Sequence, residues 1–221
     1  MNHGTIRLYS YWRSSAAYRV RIALNLKGLA YEITPVHLLR DGGEQHKQAF
    51  VDLNPQQLVP VLLHGNRVLR QSMAIIEYLD ETFPAPPLMP ATARDRQRVR
   101  LVAQMIACDI HPVANLRVLQ YLERNLGVDQ AGREEWIRHW IRSGLDAIEE
   151  TLADNPSTGT FCDGEQPTMA DCCLVPQVFN AERFGVDMAP YATIRRIVQA
   201  CNVLPEFIAA RPERQPDAQA Q

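Results

Sequence analysis

The chain has 221 residues and a mass of 25.0 kDa, with 46% apolar and 22% charged residues, a formal net charge of −2 and a pI near 6.3. Its size leaves room for one large domain or two small ones, and its composition is that of an ordinary soluble globular chain. The near-neutral charge excludes the basic footprint of a nucleic-acid binder, and no apolar run reaches the roughly 18 residues of a membrane span.

The opening "MNHGTIRLYSY" lacks the apolar core of a signal peptide. Residues 5–9 read as a short strand. Residues 14–27 follow a helical period that stops at Gly28, a C-terminal glycine. "AYEITPVHL" (30–38) is β-rich, and "RDGGEQHKQAF" begins as a turn and becomes a short polar helix. "LNPQQLVPVLLHGNRVLRQS" holds two strands, about 60–64 and 67–70, joined at Gly65–Asn66 as a hairpin. Residues 72–83 are a helix with Ile75, Ile76 and Leu79 on its apolar side. The first 83 residues therefore predict the order β-α-β-α-β-β-α.

"FPAPPLMP" (83–90) then holds four prolines, and residues 84–92 form a stiff linker. Beyond it β signals almost vanish, and 93–221 is expected to be all-helical. One long helix spans about 94–125, broken or bent near His111–Pro112, and another spans 132–154. A buried helix opens on Thr168 and Asp171 in capping-box spacing, so Asp171 is read as structural. A last helix covers about 191–203, and the polar tail "RPERQPDAQAQ" is expected to fray. The five cysteines, odd in number and without CxxC spacing, argue against a disulfide framework or a zinc site. They fit free thiols in a reducing cytoplasm, and no metal is expected.

Three stretches carry possible chemistry. "RSSAAYRVRIAL" puts Ser14 and Ser15 between a strand and a helix start. There a hydroxyl can cap the helix or serve an anion drawn to its positive end. Val59–Pro60 is either a plain strand start or a cis peptide that turns the Val59 N–H and C=O toward an extended ligand. Gln71 and Ser72 open another helix. Ser72 is explained either as its cap or, with Gln71, as a carboxylate and amino-group site.

Together these motifs resemble the glutathione transferases. "SSAAYRVRIALNLKG" is similar to the zeta-class signature, as are "LNPQQLVPVL", "QSMAIIEYL", "TMADCCLVPQVFNAERFGVD" and "RQPD", and the likeness runs along essentially the whole chain. Two positions depart from the pattern: Ala16 stands where the family has cysteine, and Tyr18 where it has tryptophan. Without a thiol at 16, the reactive sulfur has to come with glutathione.

The resemblance implies a thioredoxin-like first domain (1–83), a helical second domain (93–221) and reduced glutathione as cofactor. It also implies a homodimer and a cytoplasmic isomerase turning maleylacetoacetate into fumarylacetoacetate by reversible thiolate addition. Maleylpyruvate is the alternative substrate; a general transferase or a non-catalytic interaction module are further alternatives. Ser14 is preferred over Ser15 as the thiolate contact. Gln45, Val59, Pro60, Gln71, Ser72, His111 and Asn115 are implied for glutathione, with Gln57 a weaker choice. Arg13, Arg117 and Arg183 are implied for the substrate's carboxylates, since guanidinium pairs with carboxylate in two-pronged fashion. His111 and Asn115 would share one helix face, with Arg117 off it unless the helix bends. Arg19 and Arg21 are read as structural or interface residues.

Overall fold

The computed structural model describes residues 4–219 of the chain. It comprises two compact units, Met1–Leu88 with Leu204–Gln221, and Met89–Val203.

The first unit is built on a four-stranded sheet in the order β2-β1-β3-β4. Its strands are β1 (Ile6–Ser10), β2 (Glu32–Pro35), β3 (Val61–His64) and β4 (Arg67–Arg70). β1 pairs parallel to β2 and antiparallel to β3, and β3 and β4 form the expected hairpin. The parallel β1–β2 pair needs a crossover, which helix α1 (Ser15–Leu26) supplies. Helices α2 (Gln48–Leu53) and α3 (Ser72–Thr82) complete the β-α-β-α-β-β-α order. α1 ends where Gly28 takes φ +63°, a left-handed conformation that costs glycine least.

α1 is buried along an unbroken run from Ala17 to Leu24, Arg19 and Arg21 included. An amphipathic surface helix would leave one side wet. The reason lies at the other end of the chain. Helix α10 (Pro205–Ala210) packs on α1, Asn25 Nδ2 donates to Glu206 O at 2.8 Å, and Arg21 Nε to Ala210 O at 3.0 Å. The expected division, with everything after residue 93 in the helical domain, therefore misplaces the C-terminal residues. The expectation of a frayed tail is corrected as well. Gln215 is buried and donates to Ala209 O and Arg211 O, and Asp217 accepts the Trp12 N–H at 2.9 Å.

In the second unit, α8 (Met169–Arg183) is buried from Met169 to Val178 and is its central element. It packs against α4 (Ala93–Gln104) and α9 (Ala192–Asn202), and α9 in turn against α7 (Gln130–Ala153). Asp171 is fully buried and accepts from the N–H groups of Cys162 and Thr168 and from the Thr168 hydroxyl. It is the capping box read from the sequence, extended to hold the preceding loop. Burial pushes the Asp171 carboxyl up, against the pull of these donors. Arg98 ties the same loop to α4 through Asp163, Cys162 O and Thr158. All five cysteines are free thiols, and only Cys108 is exposed.

The helix expected over 94–125 is broken near His111–Pro112. After α4 the backbone widens into a π turn over Met105–Ile110, then a single turn, α5 (His111–Val113). A new helix, α6 (Leu116–Leu126), starts after Asn115, whose backbone is extended (φ −69°, ψ 148°). Pro112 has no N–H to give, and Asn115 is among the best N-cap residues, so of the two expected outcomes, a break or a bend, the chain takes the break.

Candidate functional site

β1 delivers the chain into a tight turn, Tyr11 to Ser14, closed by the Ser14 N–H on Tyr11 O at 2.9 Å. Ser14 is the N-cap of α1: its Oγ accepts the Ala17 N–H at 3.2 Å. An α-helix leaves its first N–H groups without internal partners. Here Ser14 has used its own and satisfies that of Ala17. Among the described residues, the N–H groups of Ser15 and Ala16 have no partner, and the first turn of α1 has no acidic side chain. The Ser14 hydroxyl still has its proton to donate. Two free amides, one hydroxyl and the helix dipole thus converge at one point. Such a point stabilises a small anion and lowers the pKa of a thiol held there.

Arg13, exposed, lays its guanidinium over the Trp12 ring, 4.5 Å from the centroid. It is the cation nearest this helix start in sequence.

A second helix start belongs to the same unit. Gln71, ahead of α3, holds φ 70° and ψ 117°, a region L-residues rarely enter, at a cost of about 1–3 kcal/mol. Backbone strain of this kind collects where a ligand is held. The Gln71 side chain donates to Gln56 Oε1 at 2.8 Å. Ser72 is the first helical residue and makes no cap, so the capping explanation is corrected. Its buried Oγ accepts from Arg19 Nη1 at 3.2 Å, and its proton remains available. Arg19, only 2% exposed, places a full positive charge beneath the start of α3. It escaped the sequence reading as a site residue, although an arginine inside "AYRVRIAL" is the signal that marks it.

The Val59–Pro60 peptide is cis. Among the described residues the Val59 N–H and C=O make no hydrogen bond. The adjoining loop is pinned by Asn54 Nδ2 on Leu58 O and Arg70 Nε on Leu53 O, both 2.7 Å. Gln45 lies on a 3-10 turn (Glu44–His46) within the polar segment that the sequence read as a turn passing into a short helix, and it is buried there. Its Nε2 reaches Leu38 O at 3.3 Å and His46 Nε2 at 3.0 Å, while its buried Oε1 has no partner among the described residues. Since Gln45 Nε2 can only donate, His46 carries its proton on Nδ1 and donates it to Gln57 Oε1 at 2.5 Å. His46 and Gln56 are two further polar residues that sequence reasoning passed over.

The remaining expected residues lie in the second unit. Asn115 Oδ1 accepts the Arg117 N–H at 3.2 Å as the cap of α6, so its Nδ2 stays available as a donor. His111 sits before the break and Asn115 after it; the expectation that they share a face of one helix does not hold. Trp136 Nε1 fixes the break by donating to Val113 O at 2.8 Å. Arg117 is exposed on the first turn of α6. Arg183 is the exposed last residue of α8, its guanidinium 4.4 Å from the Phe184 ring centroid. Among the described residues no cluster of His, Cys, Asp and Glu could hold a metal ion.

The chain matches the family descriptions "Glutathione S-transferase, N-terminal domain" over residues 8–87 and "Glutathione S-transferase, C-terminal domain" over residues 130–204. It is 54% identical over 211 residues to a probable maleylacetoacetate isomerase of Vibrio cholerae, covering 96% of this chain and 97% of that protein. A holo structure of maleylpyruvate isomerase, described as a bacterial zeta-class glutathione S-transferase, is 51% identical with TM-score 0.93, over 96% of this chain and 99% of that one. A maleylacetoacetate isomerase from Methylobacterium extorquens AM1, solved with bound malonate and GSH, is 43% identical with TM-score 0.92, over 95% and 98%.

Proposed function

The chain belongs to the glutathione S-transferase family, and we propose that within it the protein is a glutathione-dependent cis–trans isomerase turning maleylacetoacetate into fumarylacetoacetate. The observation that carries this reading is the start of α1, with two unpartnered amides, the Ser14 hydroxyl and no thiol of its own at Ala16. When bound, glutathione supplies the sulfur nucleophile whose reversible addition makes the substrate's double bond a rotatable single bond.

The residues present fit that tripeptide. Ser14 donates to the sulfur, and the Ser15 and Ala16 amides hold its negative charge; Ser15's hydroxyl is the alternate donor. Val59, beside Pro60, offers a free N–H and C=O to an extended backbone. Gln71, Ser72 and the Arg19 charge beneath them suit a carboxylate and an amino group. Gln45 offers its unpartnered Oε1. His111 and Asn115 keep their assignment to glutathione from the resemblance, Asn115 through Nδ2. Arg13, Arg117 and Arg183 are assigned to the substrate's carboxylates and to the charge that develops on its carbonyl oxygen.

Likeness to a maleylpyruvate isomerase favours maleylpyruvate as the second substrate reading. The two acids differ by a short acyl extension, worth only about 1–3 kcal/mol of discrimination. The reading includes a cytoplasmic homodimer working in tyrosine and phenylalanine catabolism; light scattering returning twice the chain mass supports the dimer. The test is conversion of each cis acid to its trans isomer, followed with and without glutathione. Turnover of maleylacetoacetate well above maleylpyruvate supports the proposal. The reverse ranking selects the second reading, and activity on neither acid overturns both.

A further inference from the structure

We propose that Asp217 and Arg21 form a clamp on the Trp12 backbone that positions Ser14 and Arg13 for the reaction. The proposal rests on the reading of Ser14 as the hydroxyl that meets the sulfur.

Trp12 lies two residues before Ser14, in the turn that feeds α1. Its N–H donates to Asp217 Oδ2 at 2.9 Å, and its carbonyl accepts from Arg21 Nη2 at 3.2 Å. Both polar groups of this one peptide position are therefore held from outside the turn. The Arg21 guanidinium also donates through Nη1 to Ser10 Oγ at 3.1 Å and through Nε to Ala210 O at 3.0 Å. One side chain thus ties the last residue of β1, the turn and the end of α10. The turn then closes on itself through the Ser14 N–H and Tyr11 O. The Trp12 ring in turn carries the Arg13 guanidinium. What fixes Trp12 fixes the helix cap on one side and the neighbouring cation on the other.

The chemistry of the two charged residues argues against simple packing. Arg21 is fully buried, and burial pushes its pKa down to about 10, while Asp217 acts in the opposite sense. An apolar side chain would fill the same space without that desolvation cost; what it would lack is a fork of donors matched to several carbonyl and hydroxyl oxygens. Asp217 leaves its buried Oδ1 without a partner among the described residues. A carboxylate in search of its own hydrogen bonds would not settle there. Its placement serves Trp12 and Arg21.

The test uses the full chain with Asp217→Ala, Asp217→Asn and Ser14→Ala. In Asp217→Ala the Trp12 amide, followed by NMR hydrogen exchange, exchanges roughly 10- to 100-fold faster, the factor for losing a bond to a charged acceptor. The pKa of enzyme-bound glutathione rises and kcat falls about tenfold, with a small change in melting temperature. Asp217→Asn keeps an oxygen for the Trp12 N–H and recovers most of both. Unchanged Trp12 exchange in Asp217→Ala overturns the clamp, as does an Asn variant that exchanges as fast as the Ala variant. Faster exchange with an unmoved thiol pKa and kcat overturns the positioning role, provided Ser14→Ala does raise that pKa. If Ser14→Ala leaves it unmoved, the Ser14 reading has failed and the positioning role falls with it; Trp12 exchange, which needs no glutathione, tells the two failures apart.

Discussion

Replacing Ser14 by alanine separates its two roles. As a cap it satisfies the Ala17 N–H at 3.2 Å, toward the long end of such bonds. Its loss should destabilise the fold by about 1 kcal/mol and lower the melting temperature by roughly 2–4 °C in a chain of this size. As a donor to sulfur it makes a hydrogen bond to a charged group, worth about 1.5–3 kcal/mol, or roughly 1–2 pKa units. The Ser15 and Ala16 amides and the helix dipole remain in the variant. The bound thiol should therefore stay below the solution value of about 8.5 while rising by about one unit from wild type. Ultraviolet titration of the thiolate in the enzyme–glutathione complex reads this shift, and kcat near neutrality should fall about tenfold in step. Ser14→Thr retains both cap and hydroxyl and should restore both. A lower melting temperature with an unmoved thiol pKa would leave Ser14 a cap only. The same pKa rise in Ser15→Ala instead would move the donor role there.

Arg183→Ala should raise KM for the dicarboxylate about tenfold or more, from the loss of a charge-assisted pair, and leave conjugation of a neutral electrophile unaffected; equal loss with both removes Arg183 from substrate binding. Asp171→Ala strands three buried donors and should cost about 2–4 kcal/mol, seen as a clear fall in melting temperature. The same variant's remaining folded fraction should turn over normally, and a loss of kcat without a loss of stability would contradict its structural role. Glu44 accepts the His37 N–H at 2.7 Å, and that bond holds its carboxyl below the usual 4.5. A depressed folded pKa means the contribution is complete above the unfolded value and is lost as pH falls through the folded one. Acid melts of wild type and Glu44→Gln should therefore be fully separated above the usual carboxyl value of 4.5 and converge as pH falls through the depressed folded value. Parallel curves throughout would refute the coupling.

Local signals account for what the sequence made legible. The strand before Ser14, the Gly65–Asn66 hairpin, the stop at Gly28 and the Thr168–Asp171 box each depend on residues a few positions apart. The break between Val113 and Asn115 was half legible. Pro112 marks a disturbance, but the Asn115 cap was hidden by reading His111 to Arg117 as one helix. The tail was misread because its polar composition stands for solvation until partners are known. Trp12–Asp217 and Arg21–Ala210 join residues at opposite ends of the chain, and no local pattern encodes such pairs. Arg19 and Arg21 were read as structural or interface residues, but two positions apart they lie on nearly opposite sides of α1, and both are buried only because α3 and α10 pack on it. That Arg19 would underlie Ser72 depended on the packing of α1 against α3. The hydroxyl cap at Ser14 was foreseen; the Ser72 cap was not realised, because Gln71 enters the helix from a strained conformation.

The central claim is that glutathione takes part in turnover and is returned unchanged. The direct measurement follows maleylacetoacetate to complete conversion with glutathione present at a small fraction of the substrate, while free thiol is assayed throughout. The account predicts full conversion to the trans acid, a rate that saturates with glutathione, and a thiol content at the end equal to that at the start. Conversion without glutathione, or one thiol consumed for each substrate molecule, would contradict it.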